Sequence, residues 1–273
     1  MKFMHFKASC SYTALANLLE LEGLDTEDDQ IALDMGLPWI FAKDGDTYLA
    51  GPMLQGAKWF DLWLKPKGFA FREKTIKTEV LPETLQHSGP CMFGMQTPYG
   101  KHAVVFTGYD GYFHLLNPTY ENSGEATELV MSAQELTAAV DSAVTIGCLR
   151  RAASNNVNLH AVWEASIPVL RQNVAEIAAF ASTSHAPDAY MEALNRLFRP
   201  LLLDGITILE LAGEITFSTQ LRELQTALMR FMRTDRSGIL AETLPVPVLR
   251  DLAQRYEQLI VNNQSKQNKQ ANH

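Results

Sequence analysis

Apolar positions near the start of the chain recur at intervals of three and four residues. In the stretch 11–22, Leu15, Leu18 and Leu19 share one face of a helix. Gly23 follows directly, and glycine is the residue that most often ends a helix. The pattern therefore predicts an amphipathic helix over 11–22.

A second, shorter helix is predicted over 26–36. Thr26 can cap it, and the carboxylates of Asp28 and Asp29 in its first turn are favoured by the helix dipole. The next residues, 38–53, contain turn signals and lack a clear apolar period. We therefore predict a loop there.

Between 69 and 150 the apolar period shortens to two. Segments rich in β-branched and aromatic residues predict strands at 69–76, 90–96, 102–110, 112–118 and 143–150. A helix is expected before them over 58–68, and another after Ser132, where Glu135 completes a capping box. The mixture predicts an α+β fold with an antiparallel sheet.

At about residue 154 the helical period returns and continues to about 263. We therefore predict an α+β domain over 1–153, a helical domain over 154–263 and a disordered polar tail over 264–273. The simplest interpretation of the amphipathic helices is a bundle that closes on itself. A homodimer interface and a lid over a cleft are the alternatives.

Composition narrows the classes of partner. The chain has 273 residues, 47% of them hydrophobic, and a formal net charge of −8. It carries no cluster of Lys and Arg, which argues against a nucleic-acid partner. No apolar run is long enough for a membrane span, and no apolar signal segment opens the chain. We expect a cytoplasmic protein with no membrane partner.

The chain has three cysteines, Cys10, Cys91 and Cys148. Their odd number and wide spacing predict neither a disulfide framework nor a zinc ribbon. Cys91 and Cys148 lie in apolar strand segments and are expected in the core. Cys10 differs, because it stands where the first helix begins, and unpaired N–H groups there stabilise a thiolate. Taken alone, the signal is weak, because a single cysteine is usually a small buried hydrophobic residue.

A histidine and an asparagine lie on the predicted hairpin. His102 starts the strand 102–110, and Asn117 ends the strand 112–118 just before Pro118. Counted from a turn centred on Asp110, the two positions are nearly opposite, within side-chain reach. An asparagine beside a histidine can fix its tautomer for work with a thiol. The alternatives are a solvated histidine and an asparagine that only opens a turn.

The order of these residues carries a resemblance to a known superfamily. Cys10 on the first helix, the Gly-Lys-His start of a strand at His102 and the Asn-Pro at Asn117 resemble the papain-like cysteine peptidases. The closest likeness is to the peptidases that remove double-glycine leaders from exported peptides. The stretch HFKASCSYTALANLLELEGL also resembles the N-terminal domain of the butirosin-biosynthesis acyltransferase family, which joins such a domain to a helical region.

The resemblance covers roughly residues 5–150 and implies a papain-like fold with a Cys10–His102–Asn117 triad. The chain departs from the leader peptidases at two positions. Ser11 follows the cysteine where glycine is usual, and Met4 stands where those enzymes have the glutamine that donates to the oxyanion. The main-chain N–H of Cys10 can supply one donor. His5, Ser9 and Ser11 are the side-chain candidates for a second.

Other motifs are absent from the sequence. The histidines do not form an HExxH pattern, and no glycine-rich phosphate loop is present, so we expect no metal and no cofactor. The first hypothesis is a cysteine peptidase or amidase that acts on a peptide through a thioester. The second is an acyltransferase that takes its acyl group from a carrier protein. The third is a binding module that keeps the shell of the fold without catalysis.

Overall fold

The fold was analysed in a computed structural model of the chain. The structure describes residues 1–97, 100–234 and 238–271, the last eight of these as backbone only. It divides into two compact units, one formed by residues 1–35 and 55–157 and the other by residues 36–54 and 158–273. The expected boundary at 153/154 lies close to the last point at which the chain passes from one unit to the other, 157/158. Residues 36–54, predicted as part of the first domain, group with the second unit.

The first unit is an antiparallel sheet with helices. Its strands are β3 (Phe69–Lys77), β4 (Cys91–Thr97), β5 (Gly100–Tyr109), β6 (Phe113–Leu116), β7 (Glu128–Met131) and β8 (Ala143–Arg151), in the order β3-β8-β4-β5-β6-β7. Its helices are α1 (Cys10–Leu21), α2 (Asp28–Asp34), α3 (Ala57–Leu64), α4 (Leu81–Gln86) and α5 (Ala133–Ala138). The α+β class predicted from the sequence is therefore observed.

The core of this unit forms because successive side chains of each strand point to opposite faces of the sheet. Phe93, Met95, Val104 and Phe106 are buried on one face of β4 and β5, where they form part of a single apolar cluster. Residues 11–19 of α1 are buried on every side of the helix, and α1 lies against β5. The packing brings the start of α1 close to the start of β5.

The predicted caps have different outcomes. Ser132 caps α5, and Glu135 reaches back to it in the expected capping box. Thr26 does not cap α2, because the helix begins at Asp28 with Glu27 at its N-cap and no side-chain cap bond. The hydroxyl of Thr26 is buried without a partner in the described part of the chain.

The second unit combines a hairpin with helices. The hairpin consists of β1 (Phe41–Asp44) and β2 (Thr47–Ala50). The helices are α6 (Leu159–Ala181), α7 (Pro187–Ala193), α8 (Gly205–Leu211), α9 (Ile215–Met232) and α10 (Val246–Ala271), with π-helical turns at Leu194–Phe198 and Pro200–Asp204 between α7 and α8. The loop predicted over 38–53 is wrong where the hairpin forms.

Aromatic contacts explain why this hairpin groups with the helices. Tyr256 of α10 is fully buried, and the rings of Trp39 and Phe41 pack edge-on against it. Its hydroxyl donates to the carbonyl of Pro38 at 2.6 Å. The turn signals of this segment predicted that the chain reverses there. They did not predict that it packs against Tyr256 of α10.

The π-helical turns have a local cause. Pro200 has no N–H to donate, so a regular helical turn cannot be completed around it. A Cβ at Gly205 would stand 2.8 Å from the carbonyl of Pro200. The widened turn therefore requires glycine at 205.

The chain end also departs from the expectation. Residues 264–271, predicted as disordered, continue the backbone of α10 as far as Ala271, since they contain neither glycine nor proline. The last two residues of the predicted tail lie outside the described part of the chain. Among the described residues, no helix combines the length and the apolar character that a membrane crossing needs.

Candidate thiol active site

Cys10 is the first residue of α1. The N–H groups of a first helical turn have no partner within the helix, so they can stabilise an anion at this position. The chain enters the helix through Ala8, whose φ of 61° lies in the left-handed region. Such a conformation costs alanine about 1 kcal/mol and persists where the surroundings fix the backbone.

A buried carboxylate fixes this entry. Asp28 has no exposed surface, and it accepts from the hydroxyls of Ser9 at 2.6 Å and Thr13 at 2.9 Å. It also accepts from the main-chain N–H of His5 at 3.0 Å and lies 2.7 Å from the Nδ1 atom of that ring. These bonds join α2 to the segment 5–9 and to the first turn of α1. They hold Cys10 in place.

The thiol of Cys10 is half-buried and lies close to several hydrogen-bond donors. Burial alone would raise its pKa, but the hydrogen bond with the His102 ring lowers it, as do the main-chain N–H of Ala103 and the hydroxyl of Ser11. The net pKa lies below the ordinary value of 9.0. A lowered pKa increases the thiolate fraction at neutral pH, and the thiolate is the nucleophilic form.

His102 lies on β5, opposite Met95 of β4. Burial would lower the pKa of its ring, but the hydrogen bond with Cys10 raises it, and so do the carbonyl of Pro118 and the carboxylate of Glu125. The net pKa lies above the ordinary 6.5. The shifts of Cys10 and His102 have opposite directions and one shared cause. Together they favour a thiolate–imidazolium pair.

The structure does not bring Asn117 to His102. The β5–β6 turn is centred one residue later than expected, and a bulge interrupts the ladder, so that Val105 pairs with Leu116. Counting on from that pair, His102 lies opposite the position two residues beyond Asn117. The side-chain amide of Asn117 instead donates to the carbonyl of Ala126 at 2.8 Å. The Nε2 atom of His102 is buried and makes no hydrogen bond of normal geometry within the described residues.

The three candidate oxyanion donors have different surroundings. The hydroxyl of Ser9 is buried and donates to Asp28, and the ring of His5 is held by the same carboxylate. The Ser9 hydroxyl and the Nδ1 atom of His5 are therefore both engaged by Asp28. The Ser11 hydroxyl lies within hydrogen-bond reach of both Cys10 and the side-chain oxygen of Gln55, and its single proton is donated to one of them at a time. Of the three, Ser11 is the residue that the structure places beside the nucleophile.

Two residues of the site were missed in the sequence. Asp28 was interpreted as a partner of the helix dipole, and no local pattern marks it as a buried anchor. Gln55 lies in an exposed segment before α3, where only the tertiary fold brings it to Ser11. A buried carboxylate needs several donors, and the run of hydroxyls at Ser9 and Thr13 was the available signal.

The remaining cysteines and His114 lie elsewhere on the sheet. Cys91 is fully buried, as expected, whereas Cys148 is partly exposed. His114 is on β6, with its Nε2 atom 2.9 Å from the carboxylate of Asp110. These residues do not contribute to the surroundings described for Cys10.

One cluster has the composition of a metal site. The ligand atoms of His5, Asp28 and Asp29 lie within 4.8 Å of one another. The oxygens of Asp28, however, already accept from Ser9, Thr13 and His5. We assign the cluster to the support of the chain before Cys10, and assign no metal to it.

The arrangement has the parts of a nucleophilic site. Cys10 supplies a thiol with a lowered pKa, and His102 supplies a ring that can hold and return a proton. The first turn of α1 supplies main-chain N–H donors for an oxyanion. Such a site can attack a polarised carbonyl carbon.

Comparison with known proteins yields little likeness. No known family profile matches the chain, and no curated protein matches it. Among solved structures, it is similar to the crystal structure of a periplasmic domain of the EpsAB fusion protein of the Vibrio vulnificus type II secretion system. That alignment has 16% identity and a TM-score of 0.29, covers 54% of this chain and spans 50% of the other. A likeness this weak carries no inference about fold or function.

Proposed function

We propose that the protein is a thiol-dependent enzyme that cleaves an acyl or amide bond through a thioester on Cys10. The observation that supports this best is the pairing of Cys10 at a helix N-terminus with His102, which lowers the pKa of the thiol and raises that of the ring. Matched shifts of this kind are typical of functional sites. The sequence resemblance to papain-like peptidases adds to it, and a papain-like arrangement of the first unit is part of the proposal.

The proposed first half-reaction forms the thioester. The Cys10 thiolate attacks the carbonyl carbon, and the N–H groups at the start of α1 stabilise the oxyanion. The carbon–nitrogen bond then breaks, and the His102 imidazolium gives its proton to the leaving amine. Cys10 is left acylated, and His102 is neutral.

The second half-reaction restores the enzyme. Neutral His102 takes a proton from water, and the resulting hydroxide attacks the thioester carbon. The carbon–sulfur bond breaks, releasing the carboxylic acid and the Cys10 thiolate, while His102 keeps the proton. Over the two half-reactions, an amide and water are converted to a carboxylic acid and an amine. The catalytic pair is then Cys10 and His102, with Asn117 outside it.

The contacts of two lysines do not favour the transfer of an acyl group from a carrier protein. Lys43 and Lys101, two of the cations that could meet an acidic carrier, are each bound to a carboxylate of this chain, Glu176 and Asp141 respectively. Peptide or amide hydrolysis is therefore the proposed reaction. Transfer to an amine remains an outcome of the test.

The test is to trap the acyl-enzyme. The full chain is mixed with a panel of activated acyl esters and peptide amides, quenched in acid and analysed by intact mass. We expect an acyl adduct on Cys10 that decays in water, is absent in Cys10→Ala and accumulates little in His102→Ala. Faster decay with an added amine would indicate a transferase. A folded wild-type protein with no adduct on Cys10 from any donor would contradict the proposal and favour a binding module.

A further inference from the structure

The two cysteines outside the candidate site face each other across the sheet. Met92 of β4 pairs with Gly147 of β8 in an antiparallel register. The residues on either side of an antiparallel pair are themselves opposite, so Cys91 lies across from Cys148. Directly opposite Cβ atoms are about 4.5–5.5 Å apart and project from the same face of the sheet. A disulfide needs a Cα separation of about 4.4–6.8 Å, which neighbouring strands provide.

Packing and hydrogen bonding agree with this register. Cys91 belongs to the apolar cluster under the sheet, and Cys148 packs against that cluster. The two side chains share a hydrogen bond. Both cysteines are free. The pair is therefore a preformed dithiol that needs little movement to close.

The two thiols differ in reactivity. Cys91 has no exposed surface, and its hydrogen bond to Cys148, with burial, raises its pKa. Cys148 is partly exposed, and the bond from Cys91 lowers its pKa, with the Arg150 guanidinium adding to the effect. Thiolate character and access together select the thiol that reacts first. Cys148 is thus the attacking thiol and Cys91 the resolving one.

We infer that Cys91 and Cys148 form a thiol–disulfide exchange site whose co-substrate is a low-molecular-weight disulfide. The Cys148 thiolate attacks one sulfur of that molecule, its S–S bond breaks, and a thiolate leaves. Cys91 then attacks the sulfur of Cys148, the S–S bond between Cys148 and the small molecule breaks, and the departing thiolate takes up the Cys91 proton and leaves as the second small thiol. Two protein thiols are oxidised to one disulfide, and one small disulfide is reduced to two thiols.

The product would join β4 covalently to β8. Because β4 also pairs with β5 at Met95 and His102, the crosslink would lie in the strand next to that histidine. The inference does not depend on the function proposed for Cys10. It requires only the two strands and an accessible Cys148.

The experiment uses the full chain with Cys10→Ala, so that the other nucleophilic thiol is absent. Oxidised glutathione is added at neutral pH, free thiols are blocked with excess iodoacetamide while urea unfolds the protein at mildly alkaline pH, and the mass is measured. We expect loss of two hydrogens with no retained glutathione, and a crosslinked peptide that contains both cysteines. Adding Cys91→Ser should instead leave a stable glutathione adduct on Cys148, and adding Cys148→Ser should leave the chain unmodified.

A second probe covers the case in which a cysteine variant does not fold. Phenylarsine oxide binds two thiols only when they are close, and it is applied to the folded Cys10→Ala protein. We expect one arsenical per chain, which blocks both Cys91 and Cys148 from alkylation. Retention of a glutathione adduct on Cys148 in the folded protein, or failure of the arsenical to protect both cysteines, would overturn the inference.

Discussion

The two sides of the candidate site are built differently. At the start of α1, the carboxylate of Asp28 satisfies the polar groups of the segment that leads to Cys10. At the start of β5, the Nε2 atom of His102 is buried without a hydrogen bond of normal geometry in the described residues. The backbone that carries Cys10 is therefore held by a network that does not involve His102. His102 is held by strand pairing and by its contact with Cys10.

The largest expected effect tests the network. Asp28→Ala leaves the donors of Ser9, Thr13 and His5 without their acceptor, so we expect a loss of about 3 kcal/mol in the free energy of unfolding. Urea denaturation measures it. Asp29→Ala is the matched control, because the Asp29 carboxylate accepts from the exposed N–H of Gln30, and it should cost less than about 0.5 kcal/mol. Equal losses would remove the special role of Asp28.

The second prediction separates the thiol from its partner. In His102→Ala, burial still raises the pKa of Cys10, while the hydrogen bond and charge that lowered it are gone. The pKa of the thiol should rise and the thiolate fraction near neutral pH should fall, so alkylation of Cys10 should slow measurably in this variant. Residue-resolved mass spectrometry with iodoacetamide gives the rate. His114→Ala, on the next strand, should leave the rate unchanged, and a similar slowing in both variants would argue against the pair.

A smaller effect concerns Asn117. Its amide donates to the carbonyl of Ala126, so Asn117→Ala should cost about 1 kcal/mol in the free energy of unfolding. The alkylation rate of Cys10 should not change, and the exposed Asn122→Ala serves as the control for stability. Slower alkylation in Asn117→Ala at unchanged stability would restore the triad that the sequence predicted.

The smallest effect is a pH dependence at His5. Burial lowers the pKa of the His5 ring, but the bond to Asp28 outweighs it, and the net pKa is raised above 6.5. A raised pKa adds stability that is fully present below 6.5 and is lost as the pH rises through the folded value. The ring is 45% exposed, so the contribution should be under about 1 kcal/mol. The difference in unfolding free energy between wild type and His5→Ala should shrink from pH 5 to pH 9, and a constant difference would exclude a charged pair.

The sequence predicts local elements well and distant partners poorly. Helix α1 and five strands of the first unit follow from apolar periodicity, because burial selects every second or every third to fourth side chain. Strand β7 was missed, since it has only four residues and they alternate between exposed and half-buried positions. Cys10 and His102, which the sequence predicted to lie together, share a hydrogen bond.

Register explains the error at Asn117. A count from the turn assumes an uninterrupted ladder, and one bulge or a shift of the turn changes every partner beyond it. The role of Asp28 could not be predicted for a different reason. Acidic residues are common in the first turn of a helix, and whether one of them is buried depends on residues that are distant in the sequence. Both errors concern contacts that only the assembled sheet and helices determine.

The hairpin of the second unit has a consequence for the order of events during synthesis. Pro38 and Tyr256, which share a hydrogen bond, are 218 residues apart in the chain. At ribosomal rates of about 5–20 residues per second, the hairpin waits about 10–40 s for its covering helix. Trp39 and Phe41 lack the ring of Tyr256 throughout that interval. A nascent chain stalled before α10 would therefore lack the aromatic contact that Tyr256 makes with these two rings.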